Sequence, residues 1–441
     1  MALSRFIYSG VFTLLLPVIL VRLWLRGKQL PAYRQRIKER FGFFHAPVYA
    51  LNHQTDNKNS EKNNNKKSSK TIWIHTVSVG ESIAATPLIK QLISQNNHVI
   101  VTCTTPTGSK QITNTFKNSV FHVYAPYDLP CFIYRFLHKV KPDTAIFMET
   151  ELWPNTLACC ANKKINTLLI NARLSEKSAK GYGRFNNLTR EILHNISYAA
   201  IQNTNDAERF YALGLDKTKA AITGNIKFDI SISESTKAQA NTIKQQYSLQ
   251  NQRPIIIAAS THKGEDEIIL DAFKHVLTTH NNALLLLVPR HPDRFSDVYR
   301  LSQDRQFTTV KRSEDPTIDT TTQVIIGDTM GELSMLYGAS DIAFVGGSLV
   351  ENGGHNYIEP AAWAVPIISG PSQFNFLDIA RELEQSGALT TIHTAQTMAE
   401  HICGLLSDNK KREHAGQQGL RYIEKNTGAL GKTLEVVERF I

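Results

Sequence analysis

Cysteine is scarce in this 441-residue chain. There are five, Cys103, Cys131, Cys159, Cys160 and Cys403. Their number is odd and none forms a CxxC pair. That argues against a disulfide framework and a cysteine-bound zinc, and it points to a reducing compartment. The turns that follow the apolar runs contain no Walker A sequence and no GxGxxG fingerprint, which weakens ATPase and dehydrogenase readings. No Asp-x-Asp pair or histidine cluster supports a metal, so neither metal nor cofactor is expected. Lys and Arg outnumber Asp and Glu by 49 to 39, a net charge of +10. Such a balance suits nucleic acid, an anionic membrane surface or a phosphorylated substrate. Much of the excess lies in the N-terminal region and in the insertion Asn52–Lys70, which lacks the interleaved aromatics that stack on bases. A nucleic-acid partner is therefore not expected.

What the N-terminus does have is a long apolar run. Phe6 to Val21 is mostly apolar, and Leu23-Trp24-Leu25 continues past Arg22. The length is at the short end for a membrane span. Arg22, Arg26, Lys28, Arg34, Arg36, Lys38 and Arg40 follow, and by the positive-inside rule the body of the chain stays in the cytoplasm. With no clear small-x-small site after the run, a cleaved signal peptide is disfavoured. Residues 1–30 are read as a membrane anchor, with an in-plane helix as the alternative. Residues 31–70 hold a basic, aromatic segment and then the Asn/Lys/Ser-rich insertion, whose composition reads as disordered.

From Thr71 onward, short apolar runs alternate with helical stretches. Ile72–Val77, Val99–Thr102, Phe121–Tyr124, Ala145–Met148, Leu168–Ile170 and Ala199–Gln202 read as buried strands, with helices such as Ile83–Ser94 and Leu129–Lys139 among them. That is a doubly wound α/β domain over 71–230. A polar, helix-forming linker is placed at 231–252. The rhythm restarts over 253–441 with strands at Ile255–Ala259, Leu284–Val288, Val324–Ile326, Ile342–Val345 and Pro366–Ser369, followed by C-terminal helices. Two successive Rossmann-like domains imply a ligand cleft between them.

The second domain centres on Ile342–Pro371. A strand, the turn Gly346-Gly347, a second turn at Asn352-Gly353-Gly354, a helix from about Asn356 to Ala364 and another strand make a βαβ unit. Asn356 and Glu359, three apart, share one helix face. Glu359 is placed to accept hydrogen bonds from a ribose diol, or else is a first-turn acid favoured by the helix dipole. Other strand ends carry further candidates. Ser78-Val79-Gly80-Glu81 follows the first strand, so Glu81 is placed to take a proton from an attacking hydroxyl or to serve as an N-terminal helix acid with Ser82 as a capping residue. Glu149 and Glu151 end another strand, where buried acids need partners. Arg173 is placed to meet an anion. Lys227 offers a charge, or pairs with Asp229. Pro289-Arg290-His291 follows a run of four leucines, with Arg290 an anion candidate and His291 a base or a structural residue. The turn Met330-Gly331-Glu332 has backbone N–H groups for a base or phosphate.

These motifs together resemble the bacterial 3-deoxy-D-manno-octulosonic acid (Kdo) transferases. The matching pieces run in order: Ser78 to Glu81, Thr105 to Ser109, Tyr127 to Pro130, METELWPN from Met148, NARLS from Asn171, GNIKFD from Gly224, PRHPDRF from Pro289, GDTMGEL from Gly327 and GGSLVENGGHN from Gly346. They span nearly the whole chain; the insertion Asn52–Lys70 departs from the pattern. The resemblance implies a GT-B glycosyltransferase fold and metal-free transfer of Kdo from CMP-Kdo to the lipid A precursor lipid IVA, in lipopolysaccharide synthesis. It implies Glu81 as general base, and Glu149 and Lys227 as transition-state stabilisers. Pro289, Arg290, Met330, Gly331, Glu332, Asn356 and Glu359 would hold CMP. The alternatives are a GT-B transferase using a UDP-sugar, of the lipid A disaccharide synthase kind, and a non-catalytic nucleotide-binding membrane protein.

Overall fold

The computed structural model describes residues 3–47, 69–250 and 252–441. All of the Asn/Lys-rich insertion except Ser69 and Lys70 lies outside them. The chain divides into two compact units, Met1–Asp229 with Thr427–Ile441, and Ile230–Asn426.

The first unit begins with a 27-residue helix, Leu3–Gln29. Its stretch Leu3–Lys28 has a mean hydropathy of 2.0, enough by length and composition to cross a membrane. Leu3, Leu14 and Val18 project into the surroundings. Its other side is tied to the unit: Ser9 hydrogen-bonds Asn155, Arg5 pairs with Glu191 at 3.5 Å, and the Phe12 ring meets Tyr127.

A seven-stranded parallel sheet follows: β1 (Thr71–His75), β2 (His98–Cys103), β3 (Phe121–Tyr124), β4 (Thr144–Met148), β5 (Asn166–Ala172), β6 (Tyr198–Ile201) and β7 (Ala220–Ile222), in the order β3-β2-β1-β4-β5-β6-β7. Helices bury both faces, so the strands read as unbroken apolar runs. Trp73, Ile100, Ala145, Phe147 and Leu169 enter one core with Phe136 and Leu157. Their neighbours Ile72, Ile74, Val101, Ile146, Met148 and Ile170 enter the other with Leu88 and Ile89. The strand order reverses between β1 and β4, a switch point whose carboxyl end is the usual ligand crevice of such sheets.

The second unit repeats the plan with β8 (Ile255–Thr261), β9 (Leu284–Pro289), β10 (Thr309–Lys311), β11 (Val324–Ile326), β12 (Ile342–Val345), β13 (Ile367–Ser369) and β14 (Leu389–Thr391). The order is β10-β11-β9-β8-β12-β13-β14, with the reversal between β8 and β12.

Several details differ from the sequence reading. β7, β10 and β14 were not expected. Each has three residues and lies at a sheet edge, too short to show a period. The stretch read as a linker carries the helix Glu234–Tyr247, which packs Ile243 and Tyr247 into a core of the second unit. The last helix, Ala429–Glu438, was placed with the second domain but belongs to the first unit. Asp229 accepts the N–H groups of Gly428 and Leu430 at 2.6 Å, and Val437 joins Ile74 and Leu88 in the core. The helix expected from about Asn356 to Ala364 is confined to Ile358–Ala362. The Asn356 side chain accepts from Ile358 N in a turn that precedes the helix. At its other end Ala364 takes the left-handed φ of 54°, before Pro366.

Candidate functional site

In the first unit, the acids sit at the switch point between β1 and β4. The helix Val79–Ser94 starts where β1 ends, and its N-cap is Ser78 rather than Ser82: Ser78 Oγ accepts from Glu81 N at 3.3 Å. Ser82 is used elsewhere, donating to Ser78 O. Glu81 is thereby turned inward. Its Oε2 accepts from Val77 N at 2.8 Å, its Oε1 from Ser78 Oγ at 2.9 Å, and the residue is 8% exposed. Among the described residues no cation lies within ion-pair distance of it. Burial pushes its pKa above the ordinary carboxylate range and the charge of Glu149 adds to this, against the Val77 and Ser78 hydrogen bonds and Lys227. A carboxylate raised in this way is a better proton acceptor near neutrality.

Glu149 follows β4 with a left-handed φ of 54°, uncommon for a residue with a side chain. Two cations hold it there. Lys227 Nζ lies 2.6 Å from Oε1 and Arg173 Nε 2.8 Å from Oε2. Lys227 does not pair with Asp229, whose carboxylate caps the last helix. Arg173 is half exposed, with one edge of its guanidinium on Glu149. Nearby, Asn171 accepts from Ile226 N, while its buried Nδ2 has no hydrogen-bond partner among the described residues.

Glu151 has a different environment. Trp153 Nε1 donates to its Oε2 at 2.7 Å and His75 Nε2 lies at 3.9 Å. Burial, with the charge of Glu81 next, raises its pKa from 4.5 to about 7. Burial lowers that of His75 from 6.5 to about 4, so the imidazole is neutral at pH 7. Sequence reasoning missed His75; its one signal was a polar residue closing a buried apolar strand.

In the second unit, the most buried acid is one the sequence reading did not single out. Glu265 follows β8 as Glu81 follows β1, each directly after a glycine. It is fully buried. Its carboxylate accepts four backbone N–H groups: His262 at 2.8 Å, Gly347 at 2.7 Å, Ser348 at 3.0 Å and Leu349 at 2.9 Å. The glycine turn after β12 is thus bound to the start of the helix after β8. Gly346 is required there, because a Cβ would lie 2.6 Å from Ser260 O.

The residues expected to hold the nucleotide lie at strand ends and turns of this same unit. Asn356 Nδ2 donates to Glu359 Oε1 at 3.0 Å, so the two meet across the start of the helix rather than along one helix face as the spacing suggested. Burial raises the Glu359 pKa, against the Asn356 hydrogen bond and the charge of Arg290. Arg290 extends from the end of β9 with its backbone N–H on Thr261 O. His262 Nε2 and His355 Nε2 are 2.8 Å apart, with the His291 ring beside His262 at 5.5 Å. Burial lowers the pKa of both bonded histidines, that of His355 to about 4. At neutral pH one ring donates to the other. His262 and His355, 93 residues apart, gave no spacing signal. The Glu332 side chain is engaged by Arg312, at 2.5 and 3.1 Å, which leaves the turn's backbone and the exposed Met330 as its open parts. Among the described residues no group of three or more His, Cys, Asp and Glu is arranged to hold a metal ion.

Two parallel-sheet units, each with its polar residues at a switch point, have matches among known proteins. A family model described as 3-Deoxy-D-manno-octulosonic-acid transferase (kdotransferase) matches residues 35–230, and one described as Glycosyl transferases group 1 matches 239–421. A solved glycosyltransferase from Rickettsia africae aligns with a TM-score of 0.54 at 14% identity, covering 85% of this chain and 99% of that one, a likeness of fold. The protein is a glycosyltransferase of the GT-B class. Within that class the sequence relatives are specific. The 3-deoxy-D-manno-octulosonic acid transferase of Haemophilus influenzae is 41% identical over 440 residues, 99% of each chain. That of Bordetella pertussis is 33% identical over 84% of this chain and 87% of its own. This chain belongs to the 3-deoxy-D-manno-octulosonic acid transferase family.

Proposed function

We propose that this protein transfers Kdo from CMP-Kdo to lipid IVA, with Glu81 as general base. The observation that carries the reading is the state of Glu81: a buried carboxylate, unpaired by any described cation, held by two hydrogen bonds at a sheet switch point. An acceptor hydroxyl gives its proton to Glu81 as its oxygen bonds to the anomeric carbon of Kdo. The bond from that carbon to the phosphate oxygen breaks, and CMP leaves as an anion. Lys227, held by Glu149, supplies positive charge as the transition state forms. On the second unit, Arg290 binds the phosphate and Glu359, oriented by Asn356, accepts from the ribose hydroxyls. Pro289 and the backbone of Met330, Gly331 and Glu332 border the nucleotide.

The apolar helix Leu3–Gln29 supports attachment to the inner membrane, where a lipid acceptor resides. The cations Arg22, Arg26 and Lys28 at its end favour the cytoplasmic side for the units that follow. The test is incubation of the full chain with CMP-Kdo and lipid IVA, followed by mass analysis of the lipid. A mass gain of one or more Kdo residues, with release of CMP, is expected. An unchanged lipid, or a gain only with a UDP-sugar, would overturn the assignment.

A further inference from the structure

A pocket of about 1040 Å³ opens beside Glu151, apart from the acids assigned to catalysis. Pockets of roughly 300–1,000 Å³ hold ligands of substantial size, and this one is at the upper end. One wall is the N-terminal helix, through Ile7 and Val11, both about half exposed. The opposite wall comes from Tyr182, Leu188 and Ile192, on the helices Glu176–Gly183 and Asn186–His194. The lining is mostly apolar. Among its polar residues are Thr150 and Glu151, one and two positions from Glu149. Arg184 is part of the lining and is exposed.

We propose that this pocket binds an acyl chain of the acceptor lipid, with the chain along the N-terminal helix and the phosphorylated sugar beside Thr150 and Glu151. The inference rests on the lipid-acceptor reading above and adds where the lipid's apolar part is held. A helix long enough to cross a membrane forms one wall, so a chain can pass along it from the bilayer without entering water. Burying each methylene then favours binding. The guanidinium of Arg184 in the lining matches a phosphorylated headgroup. Thr150 and Glu151 follow Glu149 directly in the chain, which gives the headgroup a fixed position; a bulk phospholipid has no reaction to present there.

Gly181 lines the pocket, and a Cβ at that position would meet no atom of the described residues within 4 Å. Gly181→Phe therefore fills the space without a backbone clash, and it replaces a poor helix former. The experiment uses the full chain in detergent micelles with lipid IVA carrying a photoreactive diazirine on an acyl chain, and maps the labelled residues by mass spectrometry. Labelling is expected at Ile7–Val11 and Tyr182–Ile192, and should drop about tenfold or more in Gly181→Phe, the effect of roughly two lost methylene contacts. The same variant should lose about tenfold in its preference, by kcat/KM, for lipid IVA over the acyl-free phosphorylated disaccharide. Labelling confined to Leu3, Leu14 or other outward positions of the helix would overturn the proposal. So would labelling unaffected by Gly181→Phe, or a phospholipid bearing the same diazirine chain labelling these residues equally. If the wild-type protein transfers no Kdo, the acceptor reaction fails, while the labelling map still decides the pocket.

Discussion

Lys227 Nζ and Glu149 Oε1 meet at 2.6 Å, joining the turn after β4 to the turn after β7. Arg173, on the turn after β5, takes the other oxygen of the same carboxylate at 2.8 Å. One acid in a left-handed backbone conformation thus gathers two cations from two other strand ends. The consequence is shared load. Removing Arg173, which is half exposed, should cost only about 0–1 kcal/mol in denaturant unfolding, because Lys227 still pairs with Glu149. Arg173→Met combined with Lys227→Met leaves a buried carboxylate alone, and should cost more than the sum of the single changes by about 0.5–3 kcal/mol. Strict additivity in that double-mutant cycle would show that the cations act independently.

Glu81 carries no such pair among the described residues, and its assigned task requires that it not be held by a cation. Glu81→Gln keeps the size of the side chain and removes the proton acceptor. Transfer should slow by about 10²–10⁴-fold, with CMP-Kdo affinity nearly intact by titration calorimetry. Wild-type turnover in that variant would remove Glu81 from the mechanism.

On the second unit, the Asn356–Glu359 hydrogen bond and the cation on Arg290 make a paired expectation. Arg290→Ala and Glu359→Ala should each weaken CMP binding by about 10–100-fold, the usual loss for a hydrogen bond to a charged group. Equilibrium dialysis with labelled CMP measures this directly. Normal affinity in both variants would show that the nucleotide sits elsewhere.

Glu151 gives the protein a pH dependence with a definite sign. Its pKa is about 7 in the folded chain against an ordinary 4.5. Between those values the folded protein keeps a proton that the unfolded chain releases, so stability falls as pH rises through the window and the loss is complete above it. Glu151→Gln cannot ionise. Its stability relative to wild type should therefore improve from pH 5 to pH 8, by on the order of 2 kcal/mol. Urea unfolding at the two pH values checks it. A difference that stays constant, or reverses, would mean that Glu151 is ionised freely in the fold.

Much of this was legible in the chain. Buried parallel strands are apolar along their whole length, so Ile342–Val345 or Leu284–Val288 announce themselves, and a polar residue placed just after such a run lies at the sheet's carboxyl edge. That reasoning puts forward Glu81, Glu149 and Arg290 as candidates. It fails where a contact is made by the tertiary fold alone. β7, β10 and β14 are edge strands with a single neighbour and too few residues for a pattern. The last helix is amphipathic in a way that fits either unit, and only Asp229, about two hundred positions earlier, decides between them. The bonding of His262 to His355 joins turns after two different strands, and nothing in their spacing marks it.

Glu265 shows the same limit, and it supports the strongest structural prediction. From sequence it is one acid in the run Gly264-Glu265-Asp266-Glu267, which reads as a solvated helix start. In the fold its carboxylate accepts four backbone N–H groups, three of them from Gly347, Ser348 and Leu349. Those amides have no strand partner, because the chain leaves β12 at Val345. Without the carboxylate they would be buried donors without acceptors, each costing about 1–3 kcal/mol. Glu265→Gln turns one acceptor oxygen into an NH₂ group that faces amide donors, so even this small change should loosen the glycine turn. The expected outcome is a lower Tm together with amide hydrogen exchange that quickens at residues 347–349 and not in β12 itself. CMP affinity should fall with it, since the turn leads into His355 and Asn356. Protection at 347–349 equal to wild type would mean that the turn is held by its neighbours' packing, and that Glu265 only fills space.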